Sequence, residues 1–201
     1  MAATTSSYTS TALLEGLFDP GNVSVWREFD DRYRPIITGF ARRLGLSAED
    51  AADVAQDTLA GFVQQYRAGK YGRDRGRLRT WLIGMVKTHI AQMKRTRARR
   101  RERRGASALA ELEDSAPLED AWDQERKMTL LRQALVELKA QSRTSEKTLR
   151  AFELYVIKHR PAQDVAEDLG MTPRDVYMAK NRVAERLRDI VTRLDGLFDD
   201  G

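Results

Sequence analysis

The side chains best suited to chemistry in this sequence are cationic, and they are concentrated in one segment. Between Arg67 and Arg104 the chain carries fifteen Lys and Arg residues against two acids, Asp74 and Glu102. Residues 105–125 then carry seven acids and no Lys or Arg. A solvated helix face is the common explanation of a charge run, but charges at this density repel each other unless a polyanion neutralises them. The pattern therefore favours nucleic-acid binding.

Other kinds of chemistry find little support. The sequence has no cysteine, and its two histidines, His89 and His159, are far apart. Disulfides, thiolate or histidine metal sites and a histidine-based catalytic triad are therefore not expected. No apolar run approaches a membrane span, and the N-terminus lacks the pattern of a signal peptide. We predict a cytoplasmic protein that is not an enzyme, with no cofactor, no metal site and no membrane insertion.

A second set of candidate binding residues lies in "PAQDVAEDLGMTPRDVYMAKNRVAERLRD". The apolar spacing predicts a short helix ending at Gly170, and Thr172, Pro173 and Asp175 predict a capped start for a second helix. Its buried stripe is predicted to contain Val176, Val183, Leu187, Ile190 and Leu194. The outward face and its flank would present Arg174, Tyr177, Met178, Asn181 and Arg182. Arg and Asn suit guanine and adenine edges in the major groove, although packed helices with solvated polar faces are also common.

The elements that position these residues are all predicted to be helices, so the fold class is all-α. Apolar periodicity indicates amphipathic helices on both sides of Ser47, and a glycine- and arginine-rich loop precedes a long helix that becomes cationic. We predict two small helical domains, residues 13–104 and 126–195, joined by a flexible acidic linker over residues 105–125. A mobile N-terminal tail is predicted over residues 1–12 and a C-terminal tail over residues 196–201.

Taken in order, these motifs resemble a bacterial RNA polymerase sigma factor of the sigma-70 family, of the extracytoplasmic-function (ECF) type. "DAADVAQDTL" is similar to the region-two helix that docks on the clamp helices of the largest polymerase subunit. "YGRDRGRLRTWLIGMVKTHIAQMKRTRARR" resembles the loop and helix that open and recognise the minus-ten element. The acidic segment takes the place of the linker, and the helix–turn–helix looks like region four, which recognises the minus-thirty-five element. The resemblance extends from Leu13 to Leu194.

The resemblance assigns roles to individual residues. The residues implied in polymerase binding are Asp53, Gln56, Asp57 and Thr58, although their spacing alone indicates an ordinary amphipathic helix. The residues implied at the minus-ten element are Arg73, Arg75, Arg77, Trp81, Lys87, Thr88, Gln92 and Arg95. A core position is an equal alternative for Trp81. Many family members carry Asn and Asp where this chain has Thr88 and Gln92, which puts the preferred promoter element in doubt. At the minus-thirty-five element the implied residues are Arg174, Tyr177, Met178, Asn181 and Arg182.

The predicted function is to bind core RNA polymerase, through its clamp helices and its flap, and to direct promoter recognition, melting and transcription initiation. Promoter DNA is the second partner, and an anti-sigma protein or a regulatory kinase acting on the Ser/Thr-rich N-terminus are the regulators considered. A free-standing helix–turn–helix regulator that binds operator DNA is the alternative from another class. A helical adaptor whose basic block binds RNA is a third. The helix around residues 50–58 distinguishes a sigma factor from a free-standing regulator, because a simple regulator does not need a polymerase-binding helix.

Overall fold

The computed structural model describes residues 10–72, 76–102, 115–140 and 144–198. Within these ranges the chain forms eight α-helices and one π-helical turn, with no β-strand, which confirms the predicted all-α class. The helices are α1 (Ser10–Gly16), α2 (Val23–Arg43), α3 (Ala48–Arg67), α4 (Leu78–Glu102), α5 (Ser115–Ala140), α6 (Glu146–Phe152), α7 (Ala162–Leu169) and α8 (Pro173–Asp195). The π-helical turn, Glu153–Ile157, follows α6 directly. None of the helices found in the described ranges is long and apolar enough to cross a membrane.

The described residues divide into two compact units. The N-terminal unit contains the described residues up to Thr129, together with Leu197 and Phe198, and the C-terminal unit runs from Leu130 to Gly196. The boundary therefore falls inside α5, which contributes its first part to one unit and its second part to the other.

The core of the N-terminal unit is built by α1, α2, α3 and α4, with the first part of α5. Phe29 of α2 stacks on Phe62 of α3 with ring centroids 5.3 Å apart, and both side chains are completely buried. The side chains of Asn22 and Ser47 cap α2 and α3 by accepting backbone N–H bonds. These caps satisfy donors that would otherwise lack partners at the helix starts. Pro35 lies inside α2, which continues on both sides of it.

Part of the region predicted as a flexible acidic linker belongs to the folded N-terminal unit. Residues 105–114 lie outside the described residues, but α5 begins at Ser115. Leu118, Trp122 and Glu125 are buried in the N-terminal unit, where the Trp122 ring meets Phe40 edge-on at 5.6 Å. The prediction was therefore wrong for residues 118–125, because a buried apolar stripe within an acidic segment was not recognised.

The predicted C-terminal tail also contains residues with folded contacts. The backbone oxygen of Leu197 accepts a hydrogen bond of 2.5 Å from Arg32, and the Phe198 ring packs edge-on against Tyr33 at 5.5 Å. Arg32 itself is 4% exposed and pairs with Glu28 at 2.9 Å. Leu197 and Phe198 thus belong to the N-terminal unit, whereas a C-terminal tail was predicted to include them.

The C-terminal unit has a smaller core formed by α6, the π-helical turn, α7 and α8. Its buried side chains include Leu154, Val165 and Val176, which come from three different elements. Ser145 caps α6 by accepting a hydrogen bond from the Thr148 backbone N–H at 3.2 Å. This core places α7 and α8 next to each other as the two helices of a helix–turn–helix.

Candidate nucleic-acid interface

The turn between α7 and α8 is determined by three local features. Gly170 ends α7 in the left-handed conformation, with φ 57° and ψ 53°, which glycine adopts without steric cost. The Thr172 hydroxyl accepts from the Asp175 backbone N–H at 3.2 Å, and the Asp175 carboxylate accepts from the Thr172 backbone N–H at 3.0 Å. Pro173 occupies the first helical position. The predicted turn and capping box are therefore confirmed.

The charge of Asp175 contributes to the start of α8. Hydrogen bonds from the Thr172 hydroxyl and from the Thr172 backbone lower the pKa of the Asp175 carboxyl below its ordinary value. The nearby cations Lys147 and Arg174 act in the same direction. A carboxylate at this position also interacts favourably with the positive end of the helix dipole. The first turn of α8 therefore holds Asp175 in its ionised form.

All five residues predicted to read the minus-thirty-five element lie on the exposed surface of α8. They are Arg174, Tyr177, Met178, Asn181 and Arg182. Tyr177 and Met178 are 49% and 48% exposed, which is unusual for large apolar side chains. The opposite face is buried as predicted, through Val176, Val183, Leu187, Ile190 and Leu194. The structure thus presents these five side chains to solvent, while their contacts with DNA stay a prediction.

Four of the predicted minus-ten residues on α4, together with Arg77 just before it, share one side of the helix. At about 100° per residue, Arg77, Trp81, Thr88, Gln92 and Arg95 fall within about 60° of each other. Arg77 precedes the first residue of α4 and accepts a backbone hydrogen bond from Trp81.

The other predicted minus-ten residues lie elsewhere. Lys87 lies on the flank of this side and is half-buried. Arg73 and Arg75 lie outside the described residues.

This side of α4 opens into a groove that the sequence does not reveal. The groove is lined by Gln65 from α3 and by Trp81, Met85, Thr88, His89 and Gln92 from α4. Gln65 and His89 were missed because neither has a local signal in the sequence, and packing of α3 against α4 brings them together. We call this concavity the α4 groove.

Trp81 has an intermediate position at the edge of the α4 groove. Its ring meets Tyr71 edge-on at 5.5 Å, as a core aromatic residue would, yet it is half-buried and lines the groove. Its indole N–H is buried and has no hydrogen-bond partner within the described part of the chain. A buried donor without a partner is costly, so a bound acceptor would stabilise this arrangement.

Part of the basic block serves the fold instead of an external ligand. Arg79 donates to Asp123 at 2.8 Å and to Glu119 at 3.0 Å, and it lies about 160° from Arg77 around the helix axis. Arg67 donates to the backbone oxygen of Leu17 at 2.7 Å. These two arginines therefore hold α4 and α3 to neighbouring segments, and the local density of free cations is lower than the sequence suggests.

The residues predicted to bind polymerase separate into two groups on α3. Asp53, Gln56 and Asp57 are exposed on one face, where a partner could reach them. Thr58 is completely buried, and its hydroxyl has no hydrogen-bond partner among the described residues. Thr58 is therefore a core residue, and the prediction of a surface contact through its side chain was wrong. Its position one residue after Asp57 turns it by about 100° around α3, onto the buried side of that helix.

No group of three or more His, Asp or Glu side chains able to hold a metal ion occurs in the ranges that the structure describes. The candidate interface is thus made of cationic, amide, hydroxyl and aromatic groups. Such groups bind phosphates, stack on bases and form hydrogen bonds to base edges.

Comparison with known protein families identifies a domain within the N-terminal unit. Residues 29–100 match the family model for Sigma-70 region 2. The matched segment includes α3 in full, most of α2 and α4 as far as Arg100, and so contains both the exposed α3 face and the α4 groove. It shows that this segment is similar to Sigma-70 region 2. A search of curated protein sequences gives no match.

Proposed function

We propose that this protein is an ECF-type sigma factor that binds core RNA polymerase and directs promoter recognition, melting and transcription initiation in the cytoplasm. The proposal rests on one observation. The chain combines a Sigma-70 region 2 match with a separate unit that ends in an exposed helix–turn–helix face. Two separate DNA-facing surfaces suit a promoter with two elements. A free-standing regulator would account for α8 but not for the region 2 match.

The exposed face of α3 is the proposed contact with the polymerase clamp helices. Asp53, Gln56 and Asp57 project from it without participating in the core. We therefore expect Gln56→Ala and Asp57→Ala to weaken capture of core polymerase and to reduce promoter-directed transcription while leaving folding intact. Asp31→Ala, at an exposed acid on α2, is the matched control and should bind polymerase like the wild type. Failure of the wild-type protein to bind core polymerase would refute the proposed function.

The α4 groove is the proposed site that captures the unpaired minus-ten strand. Opening a duplex exposes unpaired bases, and one of them can stack on the face of Trp81, while Thr88 and Gln92 offer hydrogen bonds to base edges. An acceptor on a second base reaches the buried indole N–H only by displacing the atoms that cover it. The Thr88 hydroxyl donates to the Gly84 backbone oxygen at 2.9 Å, so its oxygen stays available as an acceptor. Arg77 and Arg95 lie toward the two ends of this surface and suit phosphates.

Trp81→Phe tests the groove because it removes the N–H and keeps a ring that can pack on Tyr71. We expect reduced promoter opening, measured by permanganate reactivity of unpaired thymines, with normal polymerase binding. Trp26→Phe, at a half-buried tryptophan of α2 outside the groove, is the control. Equal promoter opening by both variants and the wild type would show that the N–H of Trp81 does not contact the melted strand.

An apolar groove in the C-terminal unit supports the proposed contact with the polymerase flap. Leu135 and Leu138 of α5, Phe152 of α6 and Ile157 of the π-helical turn line it, and Ile157 is 54% exposed. We expect Ile157→Asp to reduce transcription from promoters that need the minus-thirty-five element. Val136→Asp, at a residue that is 59% exposed but does not line the groove, should have no such effect.

Regulation by an anti-sigma protein or by a kinase is part of the proposal. The Ser/Thr-rich residues 1–12, the proposed phosphorylation region, lie mostly outside the described residues. Mass spectrometry of the native protein under activating conditions tests the kinase, since the absence of phosphate would exclude it. Co-purification from resting cells tests the anti-sigma protein.

A further inference from the structure

Lys147 of α6 lies next to the start of the recognition helix, although it is far from α8 in sequence. Its ammonium donates to the Gly170 backbone oxygen at 2.9 Å and so is held beside the turn between α7 and α8. The exposed Lys147 and Arg182 line the same shallow concavity, whose other walls include Thr148, Met171, Met178 and Ala179. We call this concavity the α6–α8 notch.

The α6–α8 notch has the charge and the donors needed for one phosphate group. One of the three ammonium protons of Lys147 is used by Gly170, which leaves two for a ligand. Arg182 has no hydrogen bond or ion pair within the described ranges, so its guanidinium is available. Asp175 is the acid that lines the notch, and its carboxylate accepts from the backbone and hydroxyl of Thr172. Two cations therefore face one carboxylate that is already hydrogen-bonded.

We propose that Lys147 and Arg182 hold a backbone phosphate of duplex DNA at the side of the recognition helix. This inference rests on the proposed function of α8 as a DNA-binding helix. The location of Lys147 favours contact with a phosphate over contact with a base. Its ammonium is hydrogen-bonded to the turn, and Lys147 belongs to α6, whereas the outward face belongs to α8. Phosphate contacts orient a recognition helix without reading sequence. Lys147 and Arg182 therefore position α8, and the other outward side chains of α8 provide specificity.

The test is binding of the full-length protein to a random-sequence duplex and to a duplex selected for tight binding, over a series of salt concentrations. We expect Lys147→Gln to weaken both complexes by the same factor and to lower the log–log salt slope by about one, since each neutralised phosphate contributes about 0.9. Lys147→Arg, which keeps the charge, should retain the slope of the wild type. Lys158→Gln is the matched control, because Lys158 is exposed in the same unit but pairs with Glu153 at 3.5 Å.

Thermal unfolding of the same variants separates a phosphate contact from a structural brace. If Lys147→Gln lowers the unfolding temperature but leaves the salt slope unchanged, Lys147 only supports the turn and the inference is wrong. A loss confined to the selected duplex would assign Lys147 to base recognition and would also overturn it. If Asn181→Ala weakens binding to the selected duplex and Lys147→Gln changes neither slope nor affinity, the inference fails while α8 remains the reading helix. No duplex binding by the wild-type protein would overturn the inference, whereas the proposed function is tested separately by capture of core polymerase.

Discussion

Replacing Trp122 with alanine tests whether the start of α5 is part of the N-terminal unit. The Trp122 side chain is 2% exposed and packs edge-on against Phe40. Truncation of a buried tryptophan costs about 3–5 kcal/mol, of which roughly 0.5–1.5 kcal/mol belongs to an aromatic pair of this kind. The same substitution in a solvated linker would change the free energy of unfolding by less than about 0.5 kcal/mol. The two arrangements therefore differ by an amount that is easily measured.

Urea unfolding followed by circular dichroism is the suitable assay, because it does not depend on the fluorescence of the removed residue. With a typical urea dependence of about 1–3 kcal/mol per molar, the transition of the N-terminal unit should shift by at least about 1 M. The two units need separate analysis if they unfold in separate transitions. Met128→Ala, at a residue of the same helix that is 44% exposed, is the control and should leave the midpoint nearly unchanged. A Trp122→Ala midpoint equal to that of the control would refute the packing of α5 on α2.

Other consequences of the structure can be checked in the same way. Thr172→Ala removes the acceptor for the Asp175 backbone N–H and should destabilise the C-terminal unit by about 1 kcal/mol in urea unfolding, with Thr192→Ala, at an exposed site near the end of α8, as the control. Because the pKa of Asp175 is lowered in the folded protein, its contribution is complete above the unfolded pKa and disappears as the pH falls through the folded value. The unfolding temperature should therefore fall on acidification below about pH 4, and by less in Asp175→Asn; equal pH dependence would contradict this. Glu28→Ala leaves Arg32 with one buried partner fewer and should cost about 3–5 kcal/mol, whereas an unchanged urea midpoint would show that the pair is solvated. Thr58→Val removes a buried hydroxyl without a partner among the described residues, so the unfolding temperature should be equal or higher and polymerase capture unchanged; weaker capture would restore Thr58 as a contact.

The helix–turn–helix was predictable because its signals are local. Gly170, Thr172, Pro173 and Asp175 act through bonds and dihedral angles within a few residues, and the structure reproduces each of them. The buried and exposed faces of α8 follow from the helical period. The candidate residues on α3 came from the family resemblance instead, which did not distinguish the exposed Asp57 from its buried neighbour Thr58.

Packing between distant segments accounts for what the sequence did not show. The charges of residues 118–125 indicate a solvated linker, yet Trp122 is buried against Phe40 and two of those acids neutralise Arg79. Composition alone cannot reveal this, because the sequence does not show whether an acidic residue pairs with a distant arginine or is solvated. Gln65 and His89 likewise acquire significance only when α3 and α4 lie side by side.

By itself, the sequence determined the helical class, the capped start of α8 and the identity of the side chains on its outward face. These features depend on the 3.6-residue helical period and on hydrogen bonds between near neighbours in the chain. Both can be inferred from a short run of consecutive residues. The tertiary structure decided which cations are free, which part of the acidic segment is folded, and that Lys147 lies beside Arg182. Those outcomes depend on the packing of helices that are remote along the chain. Burial and Coulomb interactions are set by distances in space, which the order of residues does not give directly.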